Sequence, residues 1–408
     1  MNGKHIFRIL LLCLTAAVLF CACDPAPAQE NSESSELPEA SKESSAPVSE
    51  ETSEETSEES SEPQREAAYM EYDIPENFND AYTDVFEISD LKQMRILYNE
   101  NAGSYSFYYD YPEGGTYMTQ LVRKRWGMYM LGAIQHRNAS GVQANIIGAS
   151  TDFEWVLRCG PTQGTSGTFR GGNHGDYTLS DWNAEDTTKT NDHFIDMTFY
   201  DASTGEKVEP QSGVEMTVNG LRVVMHDNIY DGEYNQANVM INVERIYLFN
   251  GEDVFLQSKL YMTRNTYFQM SYSCMMPIMK QYGNWTKFYN EDGTEKLVQT
   301  PLTGTSNYGN NFSNGNNATK VEMWGEQYPA YHMTMQIYNP EDMFYRSTDY
   351  VKLWDMNPSS NKLYFSSFAL GTAKLVRKGT EWDFRSSWSF SYQPDFVCPT
   401  EPDEKLGF

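Results

Sequence analysis

The sequence predicts an all-β protein, a large antiparallel β-sandwich with few short helices, and three observations carry that expectation. Residues 69–408 are rich in Tyr, Phe, Trp and Thr, the types that fit a pleated, half-buried surface. Apolar and polar residues alternate at period two over long stretches, while the helical period of 3.6 is scarce. Gly- and Asn-containing dipeptides punctuate those stretches as turns. The strand lengths favour one sandwich over residues 69–408; a split near residue 230 is the alternative.

Two segments of a different kind precede it. Lys4 and Arg8 form a basic head, and residues 9–22 are an apolar run shorter than the ~20 residues of a bilayer span. A basic head, a short apolar middle and a small-residue exit describe a signal peptide over residues 1–22. The exit reads "LFCACDP". It resembles the lipobox of bacterial lipoproteins, which implies that Cys23 is acylated, with palmitate for instance, and becomes the first mature residue. The chain would then be lipid-anchored at the extracellular face of the cell membrane. Phe20 departs from the small-aliphatic pattern of that motif, Cys21 is a rival, and plain secretion is the alternative. Residues 23–68 are almost entirely Ser, Glu, Thr, Pro and Ala, so they cannot bury enough apolar surface to offset chain entropy. Residues 24–68 carry fourteen acids against two bases, and like charges extend such a disordered tether.

The net charge of −27, less +2 in the leader and −12 in the tether, leaves −17 on residues 69–408. That disfavours nucleic acid, whose binding needs basic patches, and an anionic membrane surface. The expected partners are a glycan or cell-wall polysaccharide, with the membrane reached through the lipid anchor only. Cys159, Cys274 and Cys398 are an odd set in the body, which argues against a full disulfide framework and for thiols in a large core.

Along the body, "DLKQMRILYNE" (90–100) is a helix candidate with Asp90 as its cap. "WGMYMLGAI" alternates as a strand and runs into His136 and Arg137, one of which should face the core and the other solvent; Arg137 is a candidate ligand for a carboxylate or hydroxyl. "FRGGNHGDY" (169–177) sets His174 among three glycines. Glycine permits backbone angles that other residues resist, an imidazole suits proton transfer, Asp176 can orient the ring, and Arg170 can neutralise a substrate carboxylate. A Gly-rich turn whose histidine caps backbone carbonyls is the plainer reading of the same residues. Hairpins are expected at Ser203–Gly205 and at Asn219-Gly220. His226, a candidate ligand-binding residue, ends the "LRVVMH" strand, and Asp227, Asp231 and Glu233 follow as an acidic loop whose spacing does not fit an EF-hand.

Residues 238–276 read as a meander of three long strands, the first two joined by "NGED". Arg245 shares a face with Val243 and Tyr247, which is costly unless it lines a groove or makes a buried pair; both options stand. Tyr261 sits on the more polar face with Gln257 and Lys259, a candidate saccharide-facing surface. "NEDGTEKL" (290–297) is an ordinary hairpin turn, residues 305–320 a long Asn/Gly-rich loop, and 339–348 a second short helix. The last hairpin turns at Lys378-Gly379 and leads into Trp382, Phe384 and Trp388. Trp285, Tyr308, Trp324 and Tyr331 are the aromatics expected to be exposed. No zinc, phosphate-loop, serine-triad or dinucleotide fingerprint is present, so neither a metal nor a cofactor is expected.

"GGNHGD" (171–176) and "RKGTEWDF" (377–384) resemble segments of glycan-processing supersandwich domains, those of sugar mutarotases and some polysaccharide lyases. The first also resembles glycan-contacting β-domains of phage tail and fibre proteins. The likeness covers about fifteen residues and implies a supersandwich or jelly-roll-like layout that handles carbohydrate. Neither the second histidine nor the catalytic glutamate of mutarotases stands at a matching position. The expected function is a cell-surface lipoprotein whose sandwich binds, and by extension processes, extracellular glycan. The alternatives are a polysaccharide lyase or sugar epimerase using His174, and an adhesion or structural lipoprotein without catalysis.

Overall fold

A computed structural model describes residues 86, 88, 90–124, 127–148, 153–161, 171–172, 194–230, 239–303, 318–340, 351–357, 359–367 and 374–406. All of them belong to the compact unit Gln64–Phe408. Cys23, the tether, Arg170, His174, Asp176, Tyr308, and positions 341–348 of the second helix candidate lie outside the described residues.

The described residues are overwhelmingly β. In chain order the strands are β1 (Gln93–Asn99), β2 (Ser104–Asp110), β3 (Gly115–Arg123), β4 (Tyr129–Asn138), β5 (Gln143–Ile147), β6 (Glu154–Gly160) and β7 (Gly171–Gly172). Next come β8 (Phe194–Asp201), β9 (Lys207–Val208), β10 (Glu215–Asn219), β11 (Leu221–Tyr230), β12 (Val239–Asn250), β13 (Asp253–Met262) and β14 (Thr266–Met279). A single helical turn, α1 (Lys280–Gly283), leads to β15 (Trp285–Asn290), β16 (Glu295–Gln299), β17 (Ala318–Trp324) and β18 (Tyr331–Ile337). The chain closes with β19 (Val351–Asn357), β20 (Ser360–Ser366), β21 (Lys374–Val376), β22 (Glu381–Tyr392) and β23 (Glu404–Lys405).

Three sheets result. The first is six-stranded, in the order β10-β1-β2-β3-β4-β5. The second has eleven strands, β23-β16-β15-β17-β18-β22-β13-β12-β11-β8-β9, and the third is β19-β20-β14-β6-β7 with β21 attached to β14. All pairings are antiparallel except β16 with β23. One face of the eleven-stranded sheet meets both smaller sheets. Phe107 packs on Phe249 with ring centroids 4.3 Å apart, and Tyr117 stacks on Phe390. Elsewhere on the same face Phe268 packs on Trp382, and the Trp388 indole donates to the Met275 carbonyl at 3.1 Å. Residues of all three sheets thus form one continuous buried cluster.

The sandwich fold is as the sequence predicts, and several local elements differ. Residues 93–99 are strand β1 rather than a helix: Met94 and Ile96 alternate into the core, and β2 and β10 flank the strand. Tertiary pairing overrides the local helix preference of this stretch. The first two arms of the meander pair around a two-residue loop, with Gly251 at φ 65°, but the third arm, β14, joins the third sheet instead. β22 takes the free edge of β13. Two expected hairpins are corners between sheets. β10 pairs β1 whereas β11 pairs β12, and β21 pairs β14 whereas β22 pairs β13. Glycines at those corners look like hairpin turns in sequence because both geometries need a positive φ. Trp285, Trp324 and Tyr331 are buried; the first two stack on one another, and Phe396 covers Trp324. Cys159, Cys274 and Cys398 are free thiols, the first two buried.

Candidate functional site

The outer face of the six-stranded sheet carries an open cleft of about 200 Å³. Alternation builds it. On β2, Phe107 turns into the core, so its neighbour Tyr108 faces out. On β4, His136 turns inward among Tyr111, Tyr331, Phe390 and Tyr392, and Arg137 faces out, the split the alternation predicts. Burial lowers the pKa of His136, so its ring stays neutral there. Cross-strand register then assembles two outward rows. Arg95, Tyr108, Met118 and Gln135 succeed one another across β1 to β4, and Asp110, Thr116, Arg137 and Gln143 across β2 to β5.

The cleft has a polarity along the strand order. At the β1 end, Arg95 bonds Asp110 through Nε and Nη2 at 2.6 and 2.9 Å and Glu215 through Nη1 at 2.6 Å. These bonds, Asp110 first, raise the guanidinium pKa against burial, and Arg95 in turn holds the Asp110 carboxyl below its ordinary range. Arg95 also covers Tyr108, 5.1 Å from the ring centroid. At the β4 end, exposed Arg137 makes no hydrogen bond or ion pair with any described residue. The Gln143 amide nitrogen donates to Gln135 Oε1 at 2.9 Å and Asn145 Oδ1 at 3.2 Å. That leaves the Gln143 carbonyl and the Gln135 amide nitrogen free to bond a ligand. One end is internally neutralised; the other presents a guanidinium fork beside an amide donor and an amide acceptor.

The second polar surface is the face of the eleven-stranded sheet turned away from the core. Register places Asp196, His226, Glu244, Lys259 and Asp383 side by side on β8, β11, β12, β13 and β22. His226 Nδ1 lies 2.8 Å from Asp196 and Nε2 lies 3.3 Å from Glu244, whose other oxygen meets Lys259 at 3.1 Å. Burial works against a charged ring, but the hydrogen bonds to both carboxylates outweigh it, and the His226 pKa is pushed up to about 9. The imidazole is therefore a fixed cation at neutral pH, clamped in a ladder of alternating charge. His226 does not end its strand: β11 continues through a register shift to Tyr230. Asp227 consequently lies inside the core instead of opening an acidic loop; Asp231 and Glu233 lie outside the described residues.

Tyr261 shares this face with Gln257 and Lys259, as the alternation predicts, but is only 4% exposed. Arg245, on the opposite face of β12, takes the buried-pair option. It is fully enclosed and bonds Asp227, Glu154, the Tyr247 hydroxyl and the Tyr129 carbonyl. Those partners come from all three sheets, so Arg245 is a tie between layers and presents nothing to a ligand.

Of the four ligand-binding candidates, then, only Arg137 presents its group to an open cleft, and the structure brings none of the four together in one pocket. Sequence reading missed Tyr108, Gln135 and Gln143. The signal was available in "SYSFYYD", where the period that sends Phe107 inward sends Tyr108 outward. Among the described residues no group of three or more His, Cys, Asp or Glu side chains is arranged to hold a metal ion, and no helix is long and apolar enough to cross a membrane.

No protein-family profile matches the sequence, and no curated protein sequence matches it. Solved structures do align. The galactosidase domain of the α-galactosidase-sucrose kinase AgaSK is 10% identical with a TM-score of 0.35, covering 73% of this chain and 42% of that one. The heparan sulfate lyase HepC from Pedobacter heparinus is 9% identical with a TM-score of 0.31, covering 72% of this chain and 36% of that one. A TPR-domain containing protein from Parabacteroides distasonis is 8% identical with a TM-score of 0.34, covering 75% and 52%. The chain spans about half or less of each of these proteins. At TM-scores this far below 0.5 the likenesses carry no argument about fold or function.

Proposed function

We propose that this chain is a membrane-tethered glycan-binding protein that holds cell-wall polysaccharide against the outer face of its six-stranded sheet. The observation that carries the reading is the cleft, where the outward ring of Tyr108, the unpaired Arg137 fork and the uncommitted amide groups of Gln135 and Gln143 share one exposed face. A sugar ring needs an aromatic face for its C–H side, and donors and acceptors for its rim of hydroxyls. Rigid strands supply the donors and acceptors, and Tyr108 supplies the side of its ring that Arg95 does not cover. About 200 Å³ is below the ~300–1,000 Å³ of pockets that enclose a whole small ligand. It suits one ring of a polymer lying across an open sheet.

The leader and tether complete the proposal. Acylation of Cys23 anchors the chain, and residues 23–68 reach at most ~165 Å when fully extended. That length carries the sandwich away from the bilayer towards wall polysaccharide. A Cys23→Ser variant is expected to move from the membrane fraction to the soluble fraction; an unchanged distribution would contradict the anchor.

The binding claim is tested on a glycan array with the full chain in a detergent that has no sugar headgroup. Wild type is expected to bind a wall-type polysaccharide, with Tyr108→Ala and Arg137→Ala each weakening it about tenfold. No signal on any glycan, or equal signals from all three proteins, would overturn the reading.

A further inference from the structure

Beside the cleft, where the end of β4 meets the ends of β18 and β22, lies a group of tyrosines that the cleft does not use. Tyr328 and Tyr392 are 40% and 39% exposed, high values for such large side chains. Tyr331 and Tyr282 form a nearly buried floor. The rings touch in series: Tyr282 stacks on Tyr328 at 5.1 Å, and Tyr331 lies 5.2 Å from Tyr392 and 6.4 Å from Tyr328. Tyr392 stacks on His136 at 4.9 Å, and His136 also lines the cleft. The tyrosine group thus meets the cleft across β4, on the face of that strand opposite Arg137.

Tyr289 donates its hydroxyl to Glu322 and Tyr247 to Glu154, Tyr338 pairs with Ser387, and the hydroxyls of Tyr111 and Tyr117 are buried without a partner. Those of Tyr328, Tyr331 and Tyr392 make no hydrogen bond with any described residue. Free phenol hydroxyls on a partly exposed aromatic surface offer an apolar face together with donors and acceptors. A polyhydroxylated ring, with an apolar side and a polar edge, has the matching chemistry.

We propose that Tyr328, Tyr331 and Tyr392 form a second sugar-binding platform, which takes uncharged rings further along a glycan chain that has one ring in the Arg137 cleft. This rests on the glycan reading of the cleft and adds to it a length requirement. A disaccharide places one ring in the cleft and is too short to turn the rim of β4, whereas a longer chain reaches the tyrosines.

The test measures affinity of the full chain for the polymer that leads on the array, cut to a disaccharide and to an octasaccharide. Wild type should prefer the octasaccharide. A Tyr328→Ala/Tyr392→Ala double variant should bind the octasaccharide about tenfold more weakly and the disaccharide unchanged. A Tyr328→Phe/Tyr392→Phe variant keeps the rings and should retain part of that gain; it also serves if the alanine variant misfolds. Equal affinity of wild type for both lengths, or an equal loss at both lengths, overturns the platform while leaving the cleft intact. So does a change in sedimentation of the free protein without a change in octasaccharide affinity, because the patch is then a self-contact. Absence of binding to either length in wild type removes the glycan reading itself.

Discussion

At the centre of the molecule two carboxylates share one guanidinium. Arg245, Asp227 and Glu154 are all fully enclosed, with Arg245 2.7 Å from Asp227 and 3.1 Å from Glu154. Burial, only partly offset by Arg245, pushes the Glu154 carboxyl up to about 7 and the Asp227 carboxyl up to about 6. A carboxyl whose folded pKa is raised binds its proton more tightly in the native state, so stability falls as pH rises from about 4.5 to 7. His226 acts in the same direction over a later window. Its contribution is complete below 6.5 and is lost as pH rises through about 9. Asp110 and Glu322, whose pKa values are lowered by Arg95 and by His332, give the opposite slope on the acid side. The unfolding free energy from urea titrations should therefore be highest near pH 5 and fall at pH 7 and again at pH 9, by a few kcal/mol in all. Glu154→Gln should flatten the first step; an undiminished step in that variant would contradict the assignment. Of this cluster the sequence showed only Arg245, through a charge placed on an apolar face. Glu154 is invisible as its partner because it stands 91 positions earlier, on a strand whose pairing depends on β14.

At the scale of elements, turn chemistry was legible and connectivity was not. Gly251 and Gly293 close true hairpins, and Asp201 caps its turn by accepting from the Ser203 and Thr204 amides. Gly220 has the same dipeptide signature and a φ of 63°, yet it hands the chain from the six-stranded to the eleven-stranded sheet. A Cβ there would sit 2.8 Å from the Leu91 side chain and 3.1 Å from that of Ala202. Gly220→Ala is expected to cost about 1–3 kcal/mol, through the strained φ and this crowding. Gly293→Ala meets nothing within 4 Å and should cost only about 1 kcal/mol, from its φ of 82°. Equal losses, read from denaturant midpoints, would mean that the corner is no more constrained than a surface turn. The helix expected at 90–100 failed because Leu91, Met94 and Tyr98 match helical spacing while Met94, Ile96 and Tyr98 match period two, and only the neighbouring strands decide between them.

At the scale of the whole molecule, one buried cluster joins three sheets, so the described domain should unfold as a unit. Trp388 is fully buried where β22 meets β14, and Trp388→Ala should lower stability by about 3–5 kcal/mol without separating the transition into steps. Two resolved transitions would contradict a shared core. The all-β class and the placing of His136 and Arg137 on opposite faces were both readable from period-two alternation. The cleft as a whole was not, because its members come from five strands aligned by register, and register is a property of pairing.

The account stands on sugar lying over the outer face of the six-stranded sheet. Crystals of the chain soaked with the octasaccharide of the polymer that leads on the array test this most directly. A sugar ring against Tyr108, with its polar groups on Arg137, Gln135 and Gln143, is the predicted result. Ordered sugar only on the Asp196–Asp383 face of the eleven-stranded sheet, with the Arg137 cleft empty, would contradict it.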